Sequence, residues 1–440
     1  DIELCDLLTR EVLRTQAKEI VRKNMTYTPK YTERELLLEA QRCLQCKIPT
    51  CTKCCPTQLN CKDMIGCFAK KDFQESARVA FSCNPFALSC GYLCNSEVCC
   101  KGGCNLAKTK SGGIHIEDIQ KHACQKLRGV PIKPVVGDIP VVDKSVAIIG
   151  AGPCGLSAAA FLARMNFKRI VVFEKNPFLG GILRNEILGH KLPKEDLDFE
   201  ISLITAYPNI EIRLEQTINQ ESLIALRKEF DAVFVASGKQ KLLTFEDTPT
   251  AKEFLINIDK FDLKNKTVAV LGSGDVAVDC ADASILHGAS NVYIVMRKEL
   301  KLAKCHKANM LKVISKHVEF IPRNAPVRLQ KDEDGNVTGV ICKDLYDSQQ
   351  HERCISADVV VCAFGTEPAL LFEGTTDSNG QVLVAEDGLA PVYVGGDYKQ
   401  SYSVAEAVQD AKLSVAAISS SLAGLTVIPA LKFAPLPKED

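Results

Sequence analysis

Residues 146–155 read VAIIGAGPCG, a short apolar run that leads into the pattern G-x-G-x-x-G. A helical run follows directly, from Leu156 to Met165. In such a unit Gly150 permits a tight turn, Gly152 lets the backbone approach a pyrophosphate, and Gly155 allows the helix to pack on the strand. The phosphates then lie at the helix N-terminus, where free N–H groups favour anions. The stretch therefore predicts a dinucleotide-binding unit.

The residues after this turn favour FAD as the nucleotide. The next strand-like run ends at Glu174, which is placed to accept hydrogen bonds from both ribose hydroxyls. The pair Gly180-Gly181 suits backbone that runs beside a second phosphate or a flavin. Two later strands end in small residues, and Asp397 at the end of the second is placed to hold a ribityl hydroxyl. Each strand end alone is also compatible with a plain turn, but their order after an adenine-type site favours FAD.

A second glycine-rich stretch repeats the pattern. Residues 268–277 read VAVLGSGDVA, which is G-x-G-x-x-A between a strand-like run and a helical run. The matching second strand carries no acid at its end and is followed by Arg297-Lys298. An acid would repel the 2′-phosphate of NADP, whereas Arg and Lys pair with it. A basic pair is also compatible with a solvated loop, but here it favours NADPH over NADH.

Cysteine is the unusual residue of the composition. The 440 residues include 21 cysteines, and 15 of them lie before residue 125. The odd count and the adjacent pairs Cys54-Cys55 and Cys99-Cys100 fit a disulfide framework poorly. Disulfide-dense chains are also usually small and secreted, whereas this chain is large enough to build a hydrophobic core. Metal binding inside the cell is the better interpretation.

Two groups of cysteines have the spacing of metal ligands. They are Cys43-x2-Cys46-x4-Cys51-x3-Cys55-Pro56 and Cys90-x3-Cys94-x5-Cys100-x3-Cys104. Short spacings let successive thiolates converge on one iron–sulfur cluster, and a cysteine before proline often turns to a different cluster. Zinc is the alternative, because Cys-x2-Cys pairs also build zinc ribbons. Zinc gives no reason to lie beside flavin and NADPH modules, so two 4Fe–4S clusters are predicted.

The rest of the composition excludes several classes of protein. Hydrophobic residues make up 46% and charged residues 25%, as in a globular chain. Lys+Arg and Asp+Glu both total 54, which argues against a nucleic-acid binder that works through a basic field. A run of 18 apolar residues is absent, so no membrane span is expected. The chain lacks a signal pattern, so we expect a cytoplasmic location, and the missing initiator Met leaves an organellar one open.

Together the motifs resemble the glutamate synthase small subunit family and, more closely, the N-terminal electron-entry half of dihydropyrimidine dehydrogenase. Besides the two cysteine groups, the resemblance rests on Thr57, Asn84-Pro85, Gly91, Asn105-Leu106, Gly150-Ala-Gly-Pro153, Phe173-Glu-Lys175, Leu192-Pro193 and Ala363-Phe-Gly365. It covers nearly the whole chain. No segment corresponds to the FMN-binding barrel or the C-terminal ferredoxin-like domain of dihydropyrimidine dehydrogenase, nor to a glutaminase.

The resemblance implies two sets of cluster ligands. The first cluster would be held by Cys43, Cys46, Cys51 and Cys104, and the second by Cys55, Cys94, Cys100 and the non-cysteine ligand Gln120. Cys90 matches a family cysteine that is not a ligand. The other N-terminal cysteines have no family role, and buried packing is expected for them: Cys5, Cys54, Cys61, Cys67, Cys83, Cys99 and Cys124.

The resemblance also implies the nucleotide contacts. Those to FAD would come from Gly150, Gly152, Pro153, Gly155, Glu174, Gly181, Ile182, Lys191, Asp397 and Val404. Those to NADPH would come from Gly272, Ser273, Gly274, Asp275, Arg297, Lys298, Lys304, Ala363 and Gly365. Lys191 and Lys304 stand where the family has Arg, so their charge is kept but bidentate pairing is lost. The segment Lys307-Ala308-Asn309 also differs from the family's Pro-Glu-Glu.

The predicted fold is an α-helical iron–sulfur domain followed by two α/β doubly wound, Rossmann-like nucleotide-binding domains in a glutathione-reductase-like arrangement. The helical domain would span residues 1–140. The FAD domain would comprise residues 141–238 and 366–440, with the NADPH domain, residues 239–365, inserted in it. Seven strand-like runs are predicted, at 146–150, 169–174, 232–236, 267–272, 292–297, 358–364 and 392–396.

The predicted function is an NADPH-dependent oxidoreductase that passes electrons from NADPH through FAD and two 4Fe–4S clusters to an acceptor or a catalytic partner subunit, of the glutamate synthase or dihydropyrimidine dehydrogenase type. The alternative is a free-standing NADPH oxidoreductase that reduces ferredoxin, quinones or other small acceptors. Intact glycine motifs weigh against a third possibility, a redox sensor or scaffold with degenerate sites. No catalytic side chain is predicted, because hydride transfer needs no acid or base. The resemblance implies a homodimer or larger complex.

Overall fold

The computed structural model describes residues 31–136, 139–187, 191–303, 305, 307–349, 351–368, 375–376, 382–384, 388–399 and 403–434. Within these ranges the chain forms two compact units. One consists of residues 31–239 and 368 onward, and the other of residues 240–367. The cysteine-rich segment and the first glycine-rich stretch therefore belong to the same unit.

The cysteine-rich segment is helical. Its α-helices are Glu33–Gln41, Thr50–Cys54, Cys61–Ala69, Phe73–Cys83, Ala87–Leu93 and Ile116–Lys126, and a 3₁₀ turn covers Asn105–Lys108. Polar side chains cap three of them. Thr32 forms a capping box with Glu35, and Asn60 and Asp72 each cap the helix that follows them. Buried Phe68 and Phe86 fill the space between the helices. The described part of this segment is thus helical, as predicted.

A seven-stranded sheet follows in the same unit. In sheet order its strands are Thr375–Thr376, Val382–Val384, Val392–Val394, Ala232–Val235, Val142–Ile149, Phe167–Phe173 and Ile210–Arg213. The last five run parallel to one another. Their helices are Pro153–Arg164, Ile182–Asn185, Lys194–Thr205, Gln220–Glu229 and Val404–Ala423. Parallel strands bring their carboxyl ends to one edge of the sheet, which is where ligands bind in such folds.

One hydrophobic core joins the cysteine-rich helices to this sheet. Arg164 is 3% exposed, and its guanidinium donates to the carbonyl oxygens of Ser82 (3.0 Å) and Pro429 (2.9 Å). The strand Pro134–Val135, which follows the cysteine-rich helices, pairs antiparallel with Lys432–Phe433, which follows the last helix of the unit. The cysteine-rich segment is thus fixed to the nucleotide-binding sheet by buried contacts.

The second unit holds the other predicted nucleotide domain. A parallel sheet has the strand order Val359–Cys362, Thr267–Leu271, Asn291–Val295 and Glu319–Ile321. An antiparallel sheet consists of Asn324–Lys331, Val337–Asp344 and Glu352–Ser356. The helices are Ala251–Ile256, Asp275–Leu286 and Lys307–Ser315, with 3₁₀ turns at Ile258–Lys260 and Leu300–Leu302. The strands Lys239–Leu242 and Thr366–Pro368 pair with each other.

All seven predicted strands are present, and the predicted fold class is confirmed. Both helices that follow the glycine patterns begin earlier than expected, at Pro153 and Asp275, because their first turns are part of the glycine motifs themselves. The sequence reading missed the strand Ile210–Arg213 and the antiparallel sheet.

The buried carboxyl group of Glu200 makes stability depend on pH. It accepts hydrogen bonds from the backbone N–H groups of Leu88 (2.6 Å) and Ser89 (3.1 Å), and from the Ser89 hydroxyl (2.5 Å). Burial outweighs these bonds and raises its pKa from 4.5 to about 8. Because the folded-state pKa is raised, this group's contribution to stability is present in full below pH 4.5 and is lost as pH rises through about 8.

We therefore expect Glu200→Gln to flatten the fall of the melting temperature between about pH 5 and pH 8, since an amide does not ionise. The measurement is a series of thermal unfolding curves of the intact protein across this range. Asp198→Asn is the matched control, because Asp198 lies on the same helix with a side chain that is 58% exposed. Parallel pH profiles for the wild type and Glu200→Gln would show that the carboxyl group is not the source of the dependence.

Candidate functional site

The first glycine turn, Gly150–Gly155, joins the strand Val142–Ile149 to the helix Pro153–Arg164. Gly150 has φ +101°, a conformation that favours glycine. A methyl group added at Gly155 would lie 1.9 Å from the Gly150 carbonyl oxygen, so only glycine fits there. Gly152 is the N-cap and has no side chain to bond the first N–H groups of the helix. Those groups are left to bind a phosphate.

Gly181 lies against this turn. The Gly180 N–H donates to the Ala151 carbonyl oxygen (2.9 Å), and Gly181 has φ +53°. A methyl group added at Gly181 would lie 2.7 Å from the Gly152 Cα, whereas one added at Gly152 would have no neighbour closer than 3.9 Å. The close backbone approach on one side of Gly152 and the open space beside it form a cradle of the kind a pyrophosphate fills.

A later glycine pair, Gly395-Gly396, also lies against the first glycine turn. A methyl group at Gly396 would lie 2.8 Å from the Cβ of Cys154 and 4.0 Å from that of Ala407, which lies on the helix that Val404 begins. Asp397 follows directly, and burial raises its pKa. The structure thus brings together the predicted FAD contacts of the first turn, Gly181, Asp397 and the start of the helix at Val404.

Glu174 contacts the first glycine turn. It is buried, and its Oε2 accepts from the Ala151 N–H (2.8 Å) while Oε1 accepts from the Asn176 N–H (2.9 Å). The carboxylate thus holds the first glycine turn, and its contact with ribose stays a prediction. Lys191 is half-buried, three residues before the helix Lys194–Thr205, and Ile182 begins the short helix beside Gly181.

The second glycine turn, Gly272–Ala277, has the same construction. A methyl group at Gly272 would lie 2.3 Å from the Ala363 carbonyl oxygen, so Ala363 packs on the turn, and its contact with NADPH stays a prediction. Gly274 is the helix N-cap, with open space around its Cα. The Asn309 amide donates to Asp275 (2.9 Å). This bond ties the segment that departs from the family pattern to the turn.

Of the remaining predicted NADPH residues, Ser273 belongs to this turn, and Arg297, Lys298 and Gly365 lie just beyond strands of the same unit. Arg297 and Lys298 are exposed just beyond the strand Asn291–Val295. Gly365 is exposed and has φ +93°. The Ser273 carbonyl oxygen accepts from the Cys305 N–H (3.1 Å). Lys304 lies outside the described residues.

The first group of cysteines lies at the surface of the helical segment. Burial raises the pKa of Cys43, and the neighbouring thiols of Cys51 and Cys104 raise it further. The Asn105 amide donates to Cys46 Sγ (3.4 Å). Thr50, on the helix that carries Cys51, bonds through its hydroxyl to the Gly103 carbonyl oxygen (2.6 Å), next to Cys104. These contacts hold two distant parts of the chain together and bring the predicted ligands of the first cluster into one neighbourhood.

The predicted cysteine ligands of the second cluster line a cavity that is partly open to solvent. Its lining includes the predicted ligands Cys55, Cys94, Cys100 and Gln120, together with Cys90, Cys99, Glu117 and Ala405. A hydrogen bond with Cys90 and burial raise the pKa of Cys94, and burial raises that of Cys100. Thiolates at such positions require a bound cation, which an iron–sulfur core supplies. The donor set therefore fits the predicted cluster.

Two oxygen-bearing side chains of the helix Ile116–Lys126 line the same cavity. The Gln120 amide nitrogen donates to the Ala87 carbonyl oxygen (2.5 Å). Glu117 Oε1 accepts from the Ser96 hydroxyl (2.9 Å), whereas its buried Oε2 has no hydrogen-bond partner. The sequence reading missed Glu117. The one available signal was its position a single helical turn before Gln120.

The cysteines without a family role behave in different ways. Cys61 and Cys124 are fully buried, as predicted. The prediction is wrong for Cys54, which is exposed because its helix, Thr50–Cys54, has no buried residue. Cys67, Cys83 and Cys99 are half-buried, and Cys5 lies outside the described residues.

The family model described as pyridine nucleotide-disulphide oxidoreductase matches residues 144–411, which contain both glycine turns. The chain belongs to this family. A second family model, described as dihydropyrimidine dehydrogenase domain II, 4Fe-4S cluster, matches residues 21–130, which contain both cysteine groups. This description decides between zinc and iron–sulfur. The protein is an oxidoreductase with 4Fe–4S clusters and FAD.

Curated relatives cover most of the chain. The glutamate synthase [NADPH] small chain of Halomonas elongata is 28% identical over 431 residues, covering 87% of this chain and 89% of the relative. That of Escherichia coli is 27% identical, covering 82% and 84%. The putative oxidoreductase AegA of Escherichia coli is 28% identical over 75% of this chain, which spans 55% of AegA. The predicted resemblance is thereby confirmed.

A solved structure of similar fold is Mycobacterium tuberculosis FprA in complex with NADPH. It has a TM-score of 0.52 and 17% identity, and the match covers 64% of this chain and 85% of FprA. At this identity the likeness shows the fold alone. No helix among the described residues is long and apolar enough to cross a membrane.

Proposed function

We propose that this protein oxidises NADPH at the second glycine turn and passes the electrons through FAD at the first glycine turn to two 4Fe–4S clusters. When bound, FAD accepts two electrons as a hydride and releases them singly to iron–sulfur centres. The chain binds the nucleotide phosphates at the N-termini of the helices Pro153–Arg164 and Asp275–Leu286. It orients the flavin through Gly181, Gly396 and Asp397, and needs no side chain as an acid or base.

One observation carries the proposal: the helix Val404–Ala423 touches both the flavin cradle and the second cysteine cavity. Its Ala407 faces Gly396, and its Ala405 lines the cavity with Cys55 and Cys94. Ala405 and Ala407 lie two positions apart on this helix. Less than one helical turn therefore separates the glycine cradle from the cavity that holds the predicted ligands of the second cluster. Lys412 of the same helix donates to the Thr57 carbonyl oxygen (2.6 Å) and fixes the loop that follows Cys55. This arrangement supports electron transfer from flavin to the second cluster.

The proposal includes the cluster ligands that the resemblance implies, and the contacts around the two sets of cysteines support them. The first cluster takes Cys43, Cys46, Cys51 and Cys104. The second takes Cys55, Cys94 and Cys100, with an oxygen ligand from the helix Ile116–Lys126, the position at which the resemblance puts Gln120. In this proposal the first cluster lies nearer the surface, since its four cysteines are all half-buried, whereas the second cluster takes the buried Cys100 beside the half-buried Cys55 and Cys94. The first cluster then passes electrons to the acceptor.

For the acceptor we propose a large partner subunit. Two relatives that are matched over more than four-fifths of their length are named small chains of glutamate synthase, and a small chain implies a large one. The similarity to AegA favours a second candidate, an oxidoreductase that acts without a separate large chain. Purification of the native protein from its source, followed by mass analysis of the complex, distinguishes them. A homodimer or larger assembly is part of the proposal.

The cofactor proposal is tested by the iron, sulfide and flavin content of anaerobically purified protein. Two 4Fe–4S clusters and one FAD give about eight irons, about eight sulfides and one flavin per chain. NADPH should then bleach the flavin absorbance under anaerobic conditions. Zinc in place of iron, or a flavin that NADPH leaves oxidised, would refute the proposal.

Arg297→Glu tests the choice of NADPH. The substitution puts an acid where the ribose 2′-phosphate would bind. It should therefore lower kcat/KM for NADPH roughly 5- to 150-fold, a loss of about 1–3 kcal/mol of transition-state stabilisation, with a much smaller effect on NADH. The measurement is NADPH and NADH oxidation with an artificial acceptor. Lys331→Glu is the control, because it makes the same charge change on the antiparallel sheet of the same unit. Equal losses with both nucleotides would place the 2′-phosphate elsewhere.

A further inference from the structure

Two segments at the surface carry the predicted ligands of the first cluster, and we call them together the exit face: residues 43–53 and 104–110. Just outside one end of the face, the Arg42 guanidinium donates to the carbonyl oxygens of Ser111 (2.7 Å) and Gly112 (2.8 Å). At the other end, the Thr50 hydroxyl donates to the Gly103 carbonyl oxygen (2.6 Å). Hydrogen bonds at both ends therefore hold the two segments side by side.

The exit face carries a surplus of positive charge. It contains no Asp or Glu, and its exposed charged side chains are four lysines: Lys47, Lys53, Lys108 and Lys110. None of the four forms an ion pair with another residue that the structure describes. Of the acids that precede the two segments, Glu39 pairs with Arg42 (2.7 Å). Glu97 pairs with Lys101 (2.7 Å). These pairs leave the lysines of the face without a neutralising neighbour on either segment.

Two large aliphatic side chains are exposed among these lysines. Leu44 and Ile48 are each 61% exposed. In the sequence they lie on either side of Cys46, whose Sγ accepts from the Asn105 amide (3.4 Å) of the other segment. An apolar centre with a polar rim is the usual composition of a protein–protein interface, and electron-transfer partners make small interfaces of this kind.

We propose that the exit face docks the acidic surface of the protein that accepts electrons from the first cluster. The inference rests on the proposed two-cluster function and adds to it the chemistry of the partner. The lysines attract an acidic surface and raise its rate of association, and docking buries Leu44 and Ile48. The acceptor takes one electron at a time from the reduced first cluster, and NADPH supplies the electrons, so no other reductant is needed.

The charge of the exit face also disfavours two other occupants. A basic acceptor would be repelled by the lysines. In a symmetric dimer that used this face, the same surface of two copies would meet, and eight lysines would face one another without an acid between them. The face is therefore better suited to a different protein of opposite charge than to a second copy of this chain.

The test measures how fast the intact, anaerobically purified protein reduces two probe proteins with NADPH at different ionic strengths. Cytochrome b5 is an acidic one-electron acceptor and cytochrome c is a basic one, and haem absorbance follows the reduction of each. The variants are Lys47→Glu and Lys108→Glu, one on each segment of the face. Iron content and the bleaching of flavin by NADPH show that each variant is folded and loaded.

Lys228→Glu is the matched control, because it makes the same charge change at an exposed position of the same unit. Its helix, Gln220–Glu229, packs on the face of the seven-stranded sheet opposite to the cysteine-rich helices.

In the wild type, kcat/KM for cytochrome b5 should fall as ionic strength rises from about 0.02 M to about 0.3 M, because salt screens the attraction. At the low ionic strength Lys47→Glu and Lys108→Glu should each lower kcat/KM for cytochrome b5 about tenfold and raise that for cytochrome c, with Lys228→Glu like the wild type.

The same rates in the face variants as in the wild type, or equal losses in Lys228→Glu, would overturn the inference. A smaller assembly of Lys47→Glu in sedimentation, with unchanged rates, would also overturn it and make the exit face a contact between copies. Wild-type protein without about eight irons, or with a flavin that NADPH leaves oxidised, would instead refute the two-cluster proposal itself.

Discussion

Gly155→Ala protein is expected to lose its FAD. The added methyl group would lie 1.9 Å from the Gly150 carbonyl oxygen and 3.2 Å from Cγ2 of Ile148. The backbone at Gly150 cannot accommodate a methyl group this close unless the turn moves. The helix Pro153–Arg164 would then be displaced from its strand. The phosphate cradle between Gly152 and Gly181 depends on that packing. Flavin content, measured from absorbance after denaturation, should fall from about one per chain to background.

The equivalent position of the second glycine turn provides the control for this substitution. Ala277 stands there naturally and is buried. Ala277→Gly therefore removes a methyl group from the second turn, whereas Gly155→Ala adds one to the first. FAD should stay bound in Ala277→Gly. Flavin retained at the wild-type level in Gly155→Ala would mean that the first turn tolerates a wider helix–strand separation, and the assignment of FAD to this turn would then lose its physical basis.

The glycine turns show which part of this molecule the sequence predicts well. A turn of this kind is specified by residues that are adjacent in the chain, and the strand before it and the helix after it are read from local periodicity. Gly152, Gly181 and Gly396 meet in space as expected because each follows a parallel strand or its connection at the same sheet edge. The antiparallel sheet of residues 324–356 was missed, since its strands are largely exposed and carry little apolar alternation.

The cysteine sites show where local reading ends. Spacing grouped the cysteines, and the structure places Cys55, Cys94 and Cys100 around one cavity. Glu117, which also lines this cavity, could not be found in this way, because its position there depends on the packing of two helices, a property that no spacing records. The contact of Glu174 with a ribose stays a prediction; within the protein its carboxylate accepts from the Ala151 N–H of the turn and from Asn176.

Cys100→Ala is expected to remove one cluster and leave the rest of the protein loaded. Cys100 is 8% exposed and lines the cavity with Cys55 and Cys94. Without Cys100 only two thiols remain at the cavity to hold an iron–sulfur core, and a hydrogen bond with Cys90 and burial raise the pKa of one of them, Cys94. Iron should fall from about eight to about four per chain, and one of two EPR signals should disappear.

The adjacent residue makes the sharpest control for this loss. Cys99 is half-buried and lines the same cavity, yet neither the spacing nor the resemblance makes it a ligand. Cys99→Ala should therefore keep about eight irons. In Cys100→Ala the flavin should still be present and still be bleached by NADPH, because the glycine turns are intact, while electron delivery to a one-electron acceptor should fall to the rate of direct flavin oxidation. If Cys99→Ala lost iron while Cys100→Ala kept its full iron content, the cavity ligand would be Cys99 and not Cys100.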